Sequence, residues 1–306
     1  MTGDRPVLGI LLMLGFCVLA PLADSVAKIL GAAWPVLTLL AARFGVQAVV
    51  LLPLALRTPG GLRLSPRGWR LTVVRTVIQV AGVALFFQAL KVLPLADAVA
   101  IAYVFPFLML FLGKVFLGEE VGSRRLLACA VGFAGTLLVV QPSFVEVGAA
   151  AFLPMGVAVI FALFMLVTRQ LSREADPISL QAITGGLATL CLVPAVLILG
   201  HGGPVEVPVR DLALLVLLGL IGTGGHLLLT WSLRFAPAAT VAPMQYLEIP
   251  IATFIGWMIF RDFPNGLALA GIAVTMAAGL YIIARERRLS RRPAPPSPAA
   301  ASPAAE

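Results

Sequence analysis

Ala236 to Asp262, APAATVAPMQYLEIPIATFIGWMIFRD, is the stretch whose reading decides the fold. Its apolar run is long enough to cross a bilayer, for which about 20 residues suffice. It nevertheless carries Gln245, Tyr246 and Glu248, with Pro243 and Pro250 on either side. An acid at mid-span is costly and marks a functional site by default. Each proline removes a backbone donor and favours a kink, which frees carbonyls beside those polar groups. Polar side chains beside broken backbone at mid-depth are how secondary transporters build binding sites. The alternative is structural: a buried glutamate locked to an arginine.

Working outward, the whole chain repeats the character of this stretch. Of its 306 residues, 60% are hydrophobic and only 12% are charged. Apolar runs recur throughout, so the composition predicts an all-α polytopic membrane protein and not a soluble core. The strict alternation of an outer-membrane barrel is absent. Cys17, Cys129 and Cys191 all fall in apolar spans without metal-ligand spacing, and read as small core hydrophobes. No P-loop, GxSxG, HExxH or paired-cysteine pattern occurs, so no cofactor, metal or ATP-driven step is expected.

Ten transmembrane helices are predicted, at about Val7–Leu30, Trp34–Leu56, Trp69–Leu90, Leu95–Phe116, Arg124–Val140, Ala150–Gln170, Ile178–Leu199, Asp211–Leu233, Ala239–Phe260 and Gly266–Ala284. Turn signals separate them, among them Thr58-Pro59-Gly60-Gly61, Gln141-Pro142, His201-Gly202-Gly203-Pro204 and Pro264-Asn265-Gly266. The first span is too long for a cleaved signal and reads as a retained helix. Trp34, Trp69 and Tyr281 sit near the expected membrane interfaces.

Lysine and arginine set the orientation. With the N-terminus inside, sixteen cations fall on the inner segments: Arg5, Arg57, Arg63, Arg67, Arg70, Lys114, Arg124, Arg125, Arg169, Arg173, Arg234, Arg285, Arg287, Arg288, Arg291 and Arg292. Only four, Lys28, Lys91, Arg210 and Arg261, fall outside. Both termini are therefore expected in the cytoplasm, with the chain in the cytoplasmic (inner) membrane. The net charge of +8 is then a topology signal and not a nucleic-acid footprint. The basic stretch from Arg285 favours anionic lipid, and 286–306 reads as a disordered tail, first basic and then Pro/Ala-rich.

The chain also repeats itself. Ala89-Leu-Lys-Val-Leu-Pro94 matches Ser232-Leu-Arg-Phe-Ala-Pro237 at an offset of 143 residues. The same offset sets Tyr103 against Tyr246, Gly113 against Gly256 and Glu119 against Asp262. Two units of five spans follow, 7–142 and 150–285. Five is odd, so the second unit inserts upside down relative to the first. Inverted repeats are a signature of secondary transporters, with the substrate site near the midplane between the halves.

These features resemble the drug/metabolite transporter superfamily in its EamA-type branch. The resemblance rests on Arg43, on Arg75, on ALKVLPLADAVAIAYVFPFLMLFLGKVFLGEE from Ala89, and on its echo SLRFAPAATVAPMQYLEIPIATFIGWMIFRD from Ser232. It implies two EamA repeats, a central cavity from spans one to four and six to nine, peripheral spans five and ten, and transport of small metabolites, often by export. Arg261-Asp262 departs from the pattern, which more often has Gly-Glu, as at Gly118-Glu119.

The candidate substrate-binding residues are Glu248, Tyr246, Gln245, Tyr103, Arg43, Trp231, Gln79 and Asp24. Tyr103 and Tyr246, being repeat-related, are expected in one cavity. Asp24, near the outer third of its span, is either interfacial and solvated or open to the cavity, where it would share a depth with Arg43 and pair with it. Glu248, roughly 13 Å deep, either binds and releases a proton, grips a cationic group, or pairs structurally with Arg43 or Arg75. Arg75 lies only about 9 Å from the inner end of its span, so its long side chain is expected to snorkel to the interface. His226 reads as a packing or hydrogen-bonding residue. The expected partners are a small-molecule substrate and the lipid bilayer, with a homodimer left open. The competing classes are a channel, a lipid-moving protein, and a membrane enzyme on a lipid-linked substrate. That enzyme would need clustered acids or histidines at one interface, and only scattered Glu146, His201, Glu206 and Asp211 are present.

Overall fold

The computed structural model describes residues 5–58, 60–118, 122–140, 148–172, 174–200, 206–261 and 265–290. Glu119, Gln141-Pro142, Glu146, the 201–204 turn, Asp262, Pro264 and the tail from 291 lie outside the described residues. Every regular element described is helical. In the first half these are α1 (Pro6–Gly31), α2 (Val36–Arg57), α3 (Pro66–Val92), α4 (Leu95–Ala102), α5 (Phe105–Leu117) and α6 (Ser123–Val140). The second half has α7 (Phe152–Leu171) after a 3-10 turn at Gly148–Ala151, then α8 (Pro177–Leu199) and α9 (Val209–Phe235). A short α10 (Ala238–Val241), a 3-10 segment (Ala242–Leu247), α11 (Glu248–Phe260) and α12 (Gly266–Ser290) follow. Among the described residues, six helices, α1, α2, α3, α7 with its 3-10 turn, α8 and α9, are long and apolar enough to cross a membrane.

The expected fourth and ninth spans are not single helices. The fourth breaks at Tyr103–Val104, between α4 and α5. Pro106 lies in the first turn of α5, where its missing N–H does no harm. The ninth runs as α10, the 3-10 segment and α11, with Pro243 and Pro250 near the starts of the last two. Side chains cap the starts of α3 and α8. Ser65 accepts from Gly68 N at 2.9 Å, and Asp176 accepts from Ile178 N and Ser179 N.

The halves share their boundaries. Adding 143 to the bounds of α3 yields α9, and adding it to those of α5 yields α11. The repeat reaches the backbone torsions: α5 ends on Gly118 at φ 63°, ψ 23°, and α11 ends on Arg261 at φ 63°, ψ 18°. Glycine adopts this left-handed cap without strain, whereas arginine does not.

The principal helix pairs all join one half to the other: α1 with α9, α2 with α8, α3 with α7, and α6 with α12. Small residues permit the approach. A Cβ on Gly9 would stand 2.4 Å from that of Ala236, and one on Gly219 would stand 2.4 Å from that of Val46. Large apolar side chains face outward, including Leu197 at 78% and Ile198 at 81% exposure, as a lipid-facing surface requires. Cys191 is exposed with them, unlike buried Cys17 and Cys129. Trp34, just ahead of α2, is buried and donates from Nε1 to Asp211 Oδ2 in the first turn of α9 at 2.9 Å.

Candidate functional site

The two helix breaks meet. Tyr103 sits at the break after α4, and Glu248 opens α11. Tyr103 Oη donates to Glu248 Oε2 at 2.7 Å. The first turn of a helix favours an acid, because its free N–H groups carry partial positive charge. A cavity of about 120 Å³ opens beside this pair, enough for several water-sized occupants. Its walls come from α1 (Phe16, Ala20, Ala23, Asp24), α2 (Arg43), α3 (Ile78 to Phe87), α4 and α5 (Val99, Tyr103, Phe105), α7 (Val157 to Phe164), α9 (Ile221 to His226) and α11 (Glu248). Both halves contribute, while among the described residues α6, α8 and α12 supply none of the lining.

Five of the eight candidates line this cavity: Asp24, Arg43, Gln79, Tyr103 and Glu248. Tyr246, Gln245 and Trp231 do not. Tyr246 is fully buried behind Tyr103, with ring centroids 5.6 Å apart. Its hydroxyl donates to the carbonyls of Tyr103 and Cys129 at 3.4 and 3.3 Å. Its ring fills the space left by Gly132, where a Cβ would stand 2.7 Å away. Gln245 is buried against Met165 Sδ at 3.3 Å. Trp231 is half-buried on α9.

Neither proposed arginine pairs with Glu248; its partner is Tyr103. Asp24 and Arg43 face the same cavity without forming an ion pair. Arg43 is 4% exposed, lies over the Phe44 ring at 5.2 Å, and its Nη1 finds no hydrogen-bond partner. Gly222 makes room for it: a Cβ there would stand 2.6 Å from Arg43 Nε. Gln79 uses one end of its amide on His226 Nδ1 at 3.1 Å, and its Oε1 is left unpartnered.

Arg75 does not snorkel. It is fully buried and reaches three helices of the other half. Nε donates to Thr168 Oγ1 at 2.9 Å, Nη1 to Thr184 Oγ1 at 2.7 Å, and Nη2 to Thr230 Oγ1 at 3.5 Å. The guanidinium also lies over the Phe164 ring, 4.8 Å from its centroid. Hydroxyls from three helices satisfy the fork better than a stretch to the interface would. Gln181 extends the network, donating to Thr230 Oγ1 and accepting from Gln47 Nε2, both at 3.0 Å.

Sequence reasoning missed these threonines and the aromatic wall. Phe161 stacks with Phe16 and Phe164 at 6.2 and 5.9 Å, and meets Phe105 edge-on at 5.1 Å. His226 packs edge-on against Phe16 and Phe164. The arrangement is amphipathic: flat apolar faces beside a few ionisable groups, with no cluster able to hold a metal among the described residues.

The EamA-like transporter family model matches the chain twice, over residues 7–141 and 148–285. The chain belongs to the EamA-like transporter family. It is thus a member of the drug/metabolite transporter superfamily, a multi-pass membrane transporter and not an enzyme. Among EamA-like relatives, a riboflavin transporter of Rhizobium johnstonii is 32% identical, over 74% of each chain. A pseudopaline exporter of Pseudomonas aeruginosa is 27% identical over 71% of this chain and 76% of its own. An S-adenosylmethionine uptake transporter of Rickettsia bellii is 24% identical over 80% and 83%. A solved crystal structure matches with a TM-score of 0.67 at 23% identity, covering 93% of this chain and 98% of that one, a likeness of fold.

Proposed function

We propose that this EamA-like chain is a secondary transporter that moves a small polar or amphipathic metabolite across the cytoplasmic membrane by alternating access. In this reading it has ten spans in two inverted five-span repeats, 7–142 and 150–285, with both termini in the cytoplasm. The observation that carries it is the cavity walled by both halves, with Glu248 and Tyr103 joined at the two helix breaks. A site between repeats with broken helices at its rim is the arrangement that rocking one half against the other would expose alternately. Glu248 is the carboxylate available for coupling, and Asp24, Arg43, Gln79 and Tyr103 are the substrate-facing side chains. Tyr246 and Gln245 support them from behind.

The relatives' names support the substrate class, since riboflavin, S-adenosylmethionine and pseudopaline are all small metabolites with polar groups. The test is counterflow in proteoliposomes containing the purified full chain, preloaded with a bacterial metabolite extract and assayed with labelled members of it. Saturable, trans-stimulated uptake of at least one compound is expected. A conductance that never saturates would establish a channel instead.

A further inference from the structure

Among the described residues that line the cavity, Arg43 is a buried guanidinium with one nitrogen, Nη1, left without a hydrogen bond. Glu248 has its hydrogen bond from Tyr103 at 2.7 Å. Asp24 is half-buried on the cavity wall. Arg43, by contrast, is 4% exposed and lines the cavity, with Nη1 unpartnered and no ion pair to Asp24 or Glu248. Asp24 on the same cavity wall offsets part of this charge from a distance, but nothing satisfies Nη1, and a guanidinium left so in an apolar interior is expensive. Leucine or methionine would fill the same volume at lower cost. The fold instead makes room for the charge, because Gly222 faces it with no side chain.

We propose that Arg43 is a substrate anchor, and that the transported compound carries a small anionic oxo group, carboxylate or phosphate, on a flat apolar body. This rests on the transporter reading above and names the chemistry of that same cavity. The planar guanidinium fork matches either oxyanion bidentately. On the same cavity, the rings of Phe16, Phe161 and Phe164 form a stacked apolar wall for the rest of the molecule. The unpartnered Gln79 Oε1 on the same wall is an acceptor, suited to a donor group elsewhere on the molecule and not to the anion.

The experiment is calorimetric titration of the detergent-purified full chain with four probes of one size: naphthoate, naphthyl phosphate, naphthamide and naphthylmethylammonium. Naphthoate or naphthyl phosphate is expected to bind at least about tenfold more tightly than the neutral and cationic probes, as one charge-assisted hydrogen bond provides. The stronger of the two anions identifies the oxo group. Arg43→Gln is expected to erase the preference. Gly222→Ala keeps the charge but drives a methyl into the guanidinium, and is expected to weaken the anions alone. Ammonium binding as tight as anion binding, no difference among probes, or unchanged anion binding in both variants overturns the proposal. Counterflow separates the two levels. Saturable counterflow of the ammonium probe leaves a transporter without an anion site, whereas anion binding with no counterflow of any compound leaves the site and removes transport.

Discussion

Tyr103 and Tyr246 occupy equivalent places in the repeat, yet only one of them faces the cavity. The reason lies two residues further on. Glu248 of the second half corresponds to Phe105 of the first, 143 residues earlier. Tyr103 therefore finds a carboxylate across the interface, whereas the equivalent partner of Tyr246 is a phenyl ring that accepts no hydrogen bond. Tyr246 turns to two backbone carbonyls instead. Opposite outcomes follow for one substitution at the two sites. Tyr103→Phe strips the glutamate of its donor and is expected to lower transport at least several-fold in counterflow. Tyr246→Phe removes two long hydrogen bonds and is expected to leave transport intact, with a stability loss of about 1 kcal/mol or less in thermal unfolding. Glu248→Gln keeps the shape and still accepts from Tyr103. It should reach the membrane normally and lose most counterflow; full activity would reduce Glu248 to a structural role.

At the scale of elements, much was legible. The prolines at 106, 243 and 250 fall in the broken spans, yet Pro21, Pro53 and Pro194 sit inside unbroken helices, so proline alone does not mark a break. The 143-residue offset recurs in helix bounds and even in a cap torsion. What could not be read was Arg75. Its partners stand 93, 109 and 155 residues away on three helices, and nothing local distinguishes a threonine that meets a guanidinium from one that bonds its own backbone. Depth along one span suggested an interfacial arginine, whereas depth across the bundle made it the centre of a network. Likewise, the departure at Arg261 was visible as a sequence oddity, but its cost appears only with its φ of 63°. Arg261→Gly restores the residue type that the first half uses there. It is expected to stabilise the full chain by about 1 kcal/mol, read as a raised midpoint in thermal unfolding.

At the scale of the molecule, the charge bias and the parity of the repeat make one joint prediction about topology. With the three native cysteines replaced, a single cysteine at Arg67 is expected to react with an impermeant thiol reagent only from the cytoplasmic side. One at Glu206 should react only from the other side. The reverse pattern would invert the chain, and labelling of both from one side would break the ten-span count. The cavity drew on both halves in a way composition alone could not reveal, since its wall is assembled from eight helices that are distant in sequence.

The crosswise pairing of α1 with α9, α2 with α8, α3 with α7 and α6 with α12 has a consequence for how such a chain can be divided. Much of each half's interior is borrowed: the principal contact of these eight helices is with a helix from the other half. A single half made alone would present those faces to lipid, or to a second copy of itself lying antiparallel in the membrane. Severing the chain between Val140 and Gly148 should therefore yield two fragments that are each degraded when expressed singly. Produced together, they should protect one another and recover transport, joined by nothing but the surfaces they lend each other.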